Sequence, residues 1–173
     1  NTTTQSAGNA AWVGDADLDA VIFQATGTPM NSRNATKLEF DFVPISNYME
    51  FEYLFASEEY GTFQCTFSDA FAFLLTDTVT GLTTNLAVVP NANYFGQFNL
   101  LPGMNPLGSE TNFNGQTVPM IASSNVISNR LYHIKLVVAD RQDNILDSAV
   151  FLKGSSFGIG NLNIGSNLLQ SNG

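Results

Sequence analysis

The residues able to do chemistry are few and mostly acidic. The 173-residue chain carries fifteen Asp and Glu, six Lys and Arg, one His and one Cys. Glu58 and Glu59 close the apolar run "FEYLFAS", and Asp69 opens "AFAFLLT". Asp140, Asp143 and Asp147 flank the turn in "VVADRQDNILDSAVF", and Asp15, Asp17 and Asp19 stand in "GDADLDAV". All of these read as strand-end positions. Carboxylates that converge at one end of a sheet repel one another unless a cation sits among them. Ca²⁺ accepts about six to eight oxygen ligands from carboxylates, amides and backbone carbonyls. Glu58, Glu59, Asp69, Asp140 and Asp147 are therefore the expected ligands of a structural Ca²⁺ ion. Asp17 and Asp143 are expected to cap turns through their own side chains. "DADLDA" opens like an EF-hand loop but has Ala20 and Thr26 where such a loop needs Gly and Glu, so it is not one.

Other chemistries find less support. A Ser-His-Asp hydrolase needs a base beside its nucleophile. The one His, His133, lies mid-strand on the same face as Lys135, and no G-x-S-x-G occurs. Zinc would require several His or Cys ligands. A glycosidase needs only two carboxylates, which Glu58 and Asp69 could supply. Sugar clefts also want aromatic platforms, however, and Trp12 is the sole Trp. Lys37, Lys135 and Lys153 fall in strands and read as wet-face lysines rather than as isopeptide crosslinks. Cys65 reads as a buried or half-buried thiol.

These side chains are positioned by strands. Two-residue alternation pervades the chain. In "TKLEFDFVP", Leu38, Phe40 and Phe42 alternate with Lys37, Glu39 and Asp41. In "YMEFEYLFA", Met49, Phe51, Tyr53 and Phe55 share a face. "DAFAFLLT" (69–76) is small on one face and aromatic on the other. "TNLAVVP" (84–90), "LYHIKLVVAD" (131–140) and "SAVFLKGSSF" (148–157) complete the set. Thr-Gly at 80–81, Pro-Gly at 102–103 and Asn-Gly at 114–115 mark turns. Residues from about 91 to 116 read as one long loop. No helical period stands out. The expectation is a single all-β domain over 1–173, an antiparallel β-sandwich of jelly-roll type. Residues 157–173 form a C-terminal segment that serves either as an edge strand of this domain or as a strand given to a neighbour.

Composition narrows the function. Charged residues are 12% of the chain against about 25% in an ordinary soluble domain, while hydrophobic residues reach 44%. That describes a packed β-domain with a neutral polar surface, not a disordered chain. A net charge of −9 excludes the cationic footprint that nucleic acid or an anionic membrane requires. No run approaches the ~20 apolar residues of a membrane span. One Cys makes no internal disulfide. The chain opens on Asn1 rather than Met, which is expected of a processed or trimmed product.

"LEFDFVP", "FASEEY", "SDAFAFLL", "YHIKLVVAD" and "DSAVFL", in this order, resemble the choice-of-anchor L domain family, from about "SAGNA" (6–10) through Phe157. These are bacterial exported proteins whose anchoring tails vary while the domain persists. The resemblance implies export, surface attachment or assembly, and a β-sandwich. A looser similarity to surface-sorted domains with an S-N-E-F…N-D-x-F…D-S-A-V pattern implies a role for Glu58 or Glu59, Asp69 and Asp147 together. Some departures stand out. Ser68 replaces the family's usual Asn. Some relatives pair the Cys after "FASEEY" with a second one before the Tyr-His strand, where this chain reads "SNRLYH". Relatives carry further strands before the "SAGNA" segment, and a missing strand would leave a groove that a neighbour's strand can fill. The expected function is a non-enzymatic extracellular module of a bacterial adhesin or surface assembly, Ca²⁺-stabilised. Its expected partners are other chains of that assembly or itself. The alternatives are a subunit of an extracellular filament joined by strand exchange, and a carbohydrate-binding domain with a glycan partner.

Overall fold

The computed structural model describes residues 8–9, 11–60, 67–87, 111 and 113–160. Cys65, most of the expected 91–116 loop and residues 161–173 lie outside the described residues.

Two antiparallel sheets pack face to face. The first has the order β1 (Ser32–Phe42), β7 (Tyr132–Arg141), β3 (Ala70–Asp77), β4 (Thr83–Asn85). The second centres on β2 (Tyr48–Ser57). On one side β2 pairs with β6 (Met120–Asn125) and then with the two-residue β5 (Gly115–Gln116). On its other side it pairs with β8 (Ser148–Leu152). The fold is the antiparallel β-sandwich that the alternation indicates.

The inward rows of the two sheets form one aromatic core. Met49, Phe51, Tyr53 and Phe55 of β2 meet Phe73 and Leu75 of β3 and Tyr132, Ile134 and Leu136 of β7. Tyr53 and Phe73 stand edge to face at 4.7 Å, and Phe55 and Phe71 lie 4.6 Å apart. Each fully buried side chain of this size contributes about 1.5–3 kcal/mol. Leu38, expected on the buried face of β1, is exposed on this edge strand of its sheet, while Phe40 and Phe42 of the same row reach the core. Phe157 turns back into the same core, with its ring 5.3 Å from Phe42 and 5.4 Å from Phe40. Gly158 and Glu50 exchange backbone hydrogen bonds of 2.8 and 3.0 Å, and Ile45 N–H donates to Ile159. The start of the C-terminal segment is thus an edge piece of its own domain.

Three features depart from the expected layout. The first is a helix, α1 (Ala16–Thr26), where acids of strand ends were expected. Asp15 is its N-cap and accepts from the N–H groups of Asp17 and Leu18 at 3.1 and 3.0 Å. Asp17 and Asp19 sit in the first turn, where the helix dipole favours acids. Gly27 ends the helix at φ 70°, a conformation glycine adopts without penalty. Leu18, Val21 and Ile22, spaced three and four apart, rest on Ala72, Leu74, Val137 and Ala139. The small residues of β3 and β7 are what let the helix lie flat on the outer face of the first sheet.

The second departure is Lys135, which is not on a wet face. It is buried beneath α1, 2.6 Å from Asp15 and 2.7 Å from Asp17, and Lys37 reaches Asp15 at 3.3 Å. Burial alone would raise Asp15, but the Lys135 hydrogen bond, the Leu18 N–H and the Lys135 charge together hold it below its ordinary value. Burial would likewise lower Lys135, and its bonds to Asp15 and Asp17 outweigh that and raise it. Both partners are ionised, which is the wrong protonation for an amide-forming lysine. The third departure is β5 and β6: Gly115–Gln116 falls within the expected loop, and "MIASSN" is too polar to announce a strand.

Candidate functional site

The inward rows end in acids. On β7 the row Tyr132, Ile134, Leu136, Val138 continues to Asp140. On β3 the row Leu75, Phe73, Phe71 continues to Asp69. Ala70 pairs with Ala139, so one more step of the register sets Asp69 opposite Asp140. The chain leaving β2 brings in Glu59, whose carboxylate faces the Asp69 backbone N–H. Beyond the aromatic layer, one end of the sandwich is therefore lined by carboxyl groups. Glu59, Asp69 and Asp140 are all buried, at 2%, 8% and 5% exposure.

Few donors compensate these groups. Ser148 Oγ donates to Asp69 Oδ2 at 2.5 Å, and Arg141 N–H donates to Asp69 Oδ1 at 3.2 Å. Asn34 Nδ2 donates to Asp140 Oδ2 at 2.8 Å. Asn34 stands at the bulge of β1 with φ 50°, a left-handed conformation that Asn tolerates, and this aims its amide across to β7. Glu59 Oε2 is buried with no hydrogen-bond partner among the described residues.

Burial, with the charges of Asp69, Asp143 and Asp140 behind it, drives Glu59 up to about 9. Burial also drives Asp69 up to about 8, against the Ser148 and Arg141 hydrogen bonds and with the charges of Asp140 and Asp143 adding to the rise. Asp140 rises to about 6, chiefly from burial, with the Asn34 bond opposing and Asp147 and Asp143 adding repulsion. The causes interlock: Glu59, Asp69, Asp140, Asp143 and Asp147 act on one another, so four of the five expected ligands share one field.

The fifth, Glu58, is buried, and its backbone does visible structural work. Its N–H donates to the Asp147 carbonyl at 3.1 Å, and its carbonyl accepts from Asn114 Nδ2 at 2.6 Å. Asp143, expected as a turn cap, accepts from Ile145 N–H at 3.3 Å and also adds its charge to the cluster. Asp17 caps no turn and pairs with Lys135 instead. Among the described residues, no three acidic, His or Cys side chains already stand at metal-ligand spacing. His133 Nδ1 lies 2.8 Å from Asp41 Oδ1, on the side of the first sheet away from the core.

The sequence reading missed two residues of the site. Asn34 carries no signal in the strand pattern, because a bulge is invisible to two-residue alternation. Trp12 lies far from the acids in the chain, yet it lines an open pocket of about 160 Å³ together with Asn34, Asp140, Asp147 and Ser148.

The molecule is thus a β-sandwich domain with an acidic, partly buried pocket at one end. The family model of the choice-of-anchor L domain matches residues 1–95 and 90–158, and the chain belongs to that family. Comparison with curated proteins and comparison with solved structures each give no match. The family suggests a cell-surface or exported bacterial module. No helix among the described residues is long and apolar enough to cross a membrane.

Proposed function

We propose that this chain is a non-enzymatic module of a bacterial adhesin or extracellular surface assembly, stabilised by a Ca²⁺ ion held among its strand-end acids. The observation that carries the ion is the burial of Glu59, Asp69 and Asp140 together with few neutral donors and no cation to balance them, Glu59 Oε2 lacking a hydrogen-bond partner among the described residues. Buried polar groups are almost always satisfied, and an exception calls for an explanation. A divalent cation supplies one: it would convert mutual repulsion into shared attraction and lower all three acids at once.

The donors are all oxygens, which suits Ca²⁺ rather than zinc or copper. Side chains of Glu59, Asp69, Asp140 and Asp147 are the proposed ligands, with Asp143 adding charge. Ca²⁺ also accepts backbone carbonyls and water, so the carboxylates need not form a complete cage. The non-enzymatic reading is supported by the pairing of His133 with Asp41, away from the acids. The expected partners are other protein chains of the assembly.

A thermal melt in Ca²⁺ against EDTA tests the ion. Saturating Ca²⁺ at one hundred times its Kd stabilises by about 2.7 kcal/mol, or roughly 5–11 °C for a chain of this size. Coincident melting curves, with no metal found in the purified protein, would remove the ion.

A further inference from the structure

The pocket beside the acids has a composition of its own. Trp12 forms part of its wall and is 56% exposed, unusual for a large aromatic with a core available. Asp140 and Asp147 supply two carboxylates, Asn34 and Ser148 supply neutral polar groups, and no Lys, Arg or His lines it among the described residues. A neutral guest leaves that negative charge in place, whereas a cationic guest relieves it. An indole beside carboxylates suits an organic cation twice over: its apolar surface covers an alkyl stem while the acids hold the charged end. The volume of about 160 Å³ equals roughly five waters at ~30 Å³ each, which is the size of a butylammonium group.

We propose that this pocket binds an alkylammonium group, with Trp12 against its methylene stem and Asp140 and Asp147 at its nitrogen. Two sources share this chemistry: a free aliphatic amine and the side chain of a lysine on a partner protein. The inference goes beyond the calcium reading and does not require the ion, although both use Asp140 and Asp147. Bound Ca²⁺ would therefore compete with the amine.

Trp12 is the only Trp, so its fluorescence reports this site alone. The titrants are n-butylammonium and Nα-acetyl-lysine methylamide, with n-butanol and glucose as neutral controls, first in EDTA and then in Ca²⁺. Saturable quenching or a spectral shift by an ammonium compound, with both controls silent, is expected. Asp147→Asn should weaken binding about tenfold or more. Trp12→Leu, followed by the NMR shift of the Asn34 side-chain amide, should weaken it roughly three- to thirty-fold. Trp12 is exposed enough that Trp12→Leu should melt like the parent, which separates lost binding from lost folding. Tighter binding of the lysine derivative names a protein partner, and tighter binding of butylammonium names a free amine. No response to either compound, an equal response to butanol or glucose, or indifference to Asp147→Asn overturns the proposal. If Ca²⁺ shifts the melt while neither ammonium compound binds, this inference fails and the ion stands. If an ammonium compound binds and Ca²⁺ changes nothing, the reverse holds.

Discussion

In metal-free protein, stability should fall as pH rises across the neutral range, opposite to the behaviour of ordinary ion-paired carboxylates. Glu59 is raised to about 9 and Asp69 to about 8, against 4.5 and 3.8 as their ordinary values. Between about pH 6.5 and pH 7.5 the folded chain therefore holds a proton on each, while the unfolded chain has released both; Asp140, raised only to about 6, has largely released its own by then. The folded state binds more protons, so unfolding is favoured by raising the pH. The stabilisation is complete below about pH 4 and is lost as pH climbs through the folded-state values. Two protons at about 1.4 kcal/mol per pH unit each give a slope near −2.7 kcal/mol per pH unit. For a domain of this size, that is a fall in Tm of roughly 5–10 °C per unit. Asp15 is shifted downward, so its contribution is lost only as pH falls below about 4, outside this window. Glu59→Gln keeps the shape of the protonated acid and removes one of the two protons. It should halve the slope to about −1.4 kcal/mol per unit and melt above the parent at pH 8. The assay is a set of melting curves in EDTA, with the slope read between about pH 6.5 and 7.5 and the Glu59→Gln comparison extended to pH 8. A flat profile, a stability that rises with pH, or a slope unchanged by Glu59→Gln would refute the reasoning.

Two further outcomes are expected. Lys135→Met removes the only cation buried with Asp15 beneath α1 among the described residues. It should cost about 3–5 kcal/mol, read from denaturant midpoints, and Asp15→Asn in the same chain should recover part of it. Phe157→Ala deletes a ring seated among Phe40, Phe42 and Phe51 and should cost about 3–5 kcal/mol without changing the oligomeric state in sizing chromatography. A loss below 1 kcal/mol would mean that this segment does not belong to its own core.

Much of this was readable in the residues before any coordinates. The inward rows of β2, β3 and β7 follow from strict alternation, because one face of each strand must be buried. The convergence of Asp69 and Asp140 follows from the same rows extended by one step, whereas Glu59 is brought in by the turn after β2. The helix was also legible: Asp15 as cap, Leu18, Val21 and Ile22 at helical spacing, and Gly27 as stop. It was masked by reading "DADLDA" as a cluster of acids. Other features were not legible. Lys135 alternates like a wet-face residue, and only a helix packed over that face buries it. Asn34 is aimed by a bulge, and Trp12 reaches the acids through tertiary folding that no local pattern encodes. The "MIASSN" strand buries only Met120 and Ala122, leaves Ile121 exposed beside Ser123 and Asn125, and forms because β2 offers it an open edge.

Ca²⁺ binding among these acids should release protons. If Ca²⁺ enters among Glu59, Asp69 and Asp140, it must displace the protons these groups hold. Calorimetric titration at pH 7 in buffers of differing ionisation enthalpy counts them. About two protons should be released per Ca²⁺, from the groups raised to about 9 and about 8, and about one in Glu59→Gln. Binding with no proton release, or no binding at all, would place the ion elsewhere or nowhere and contradict the account.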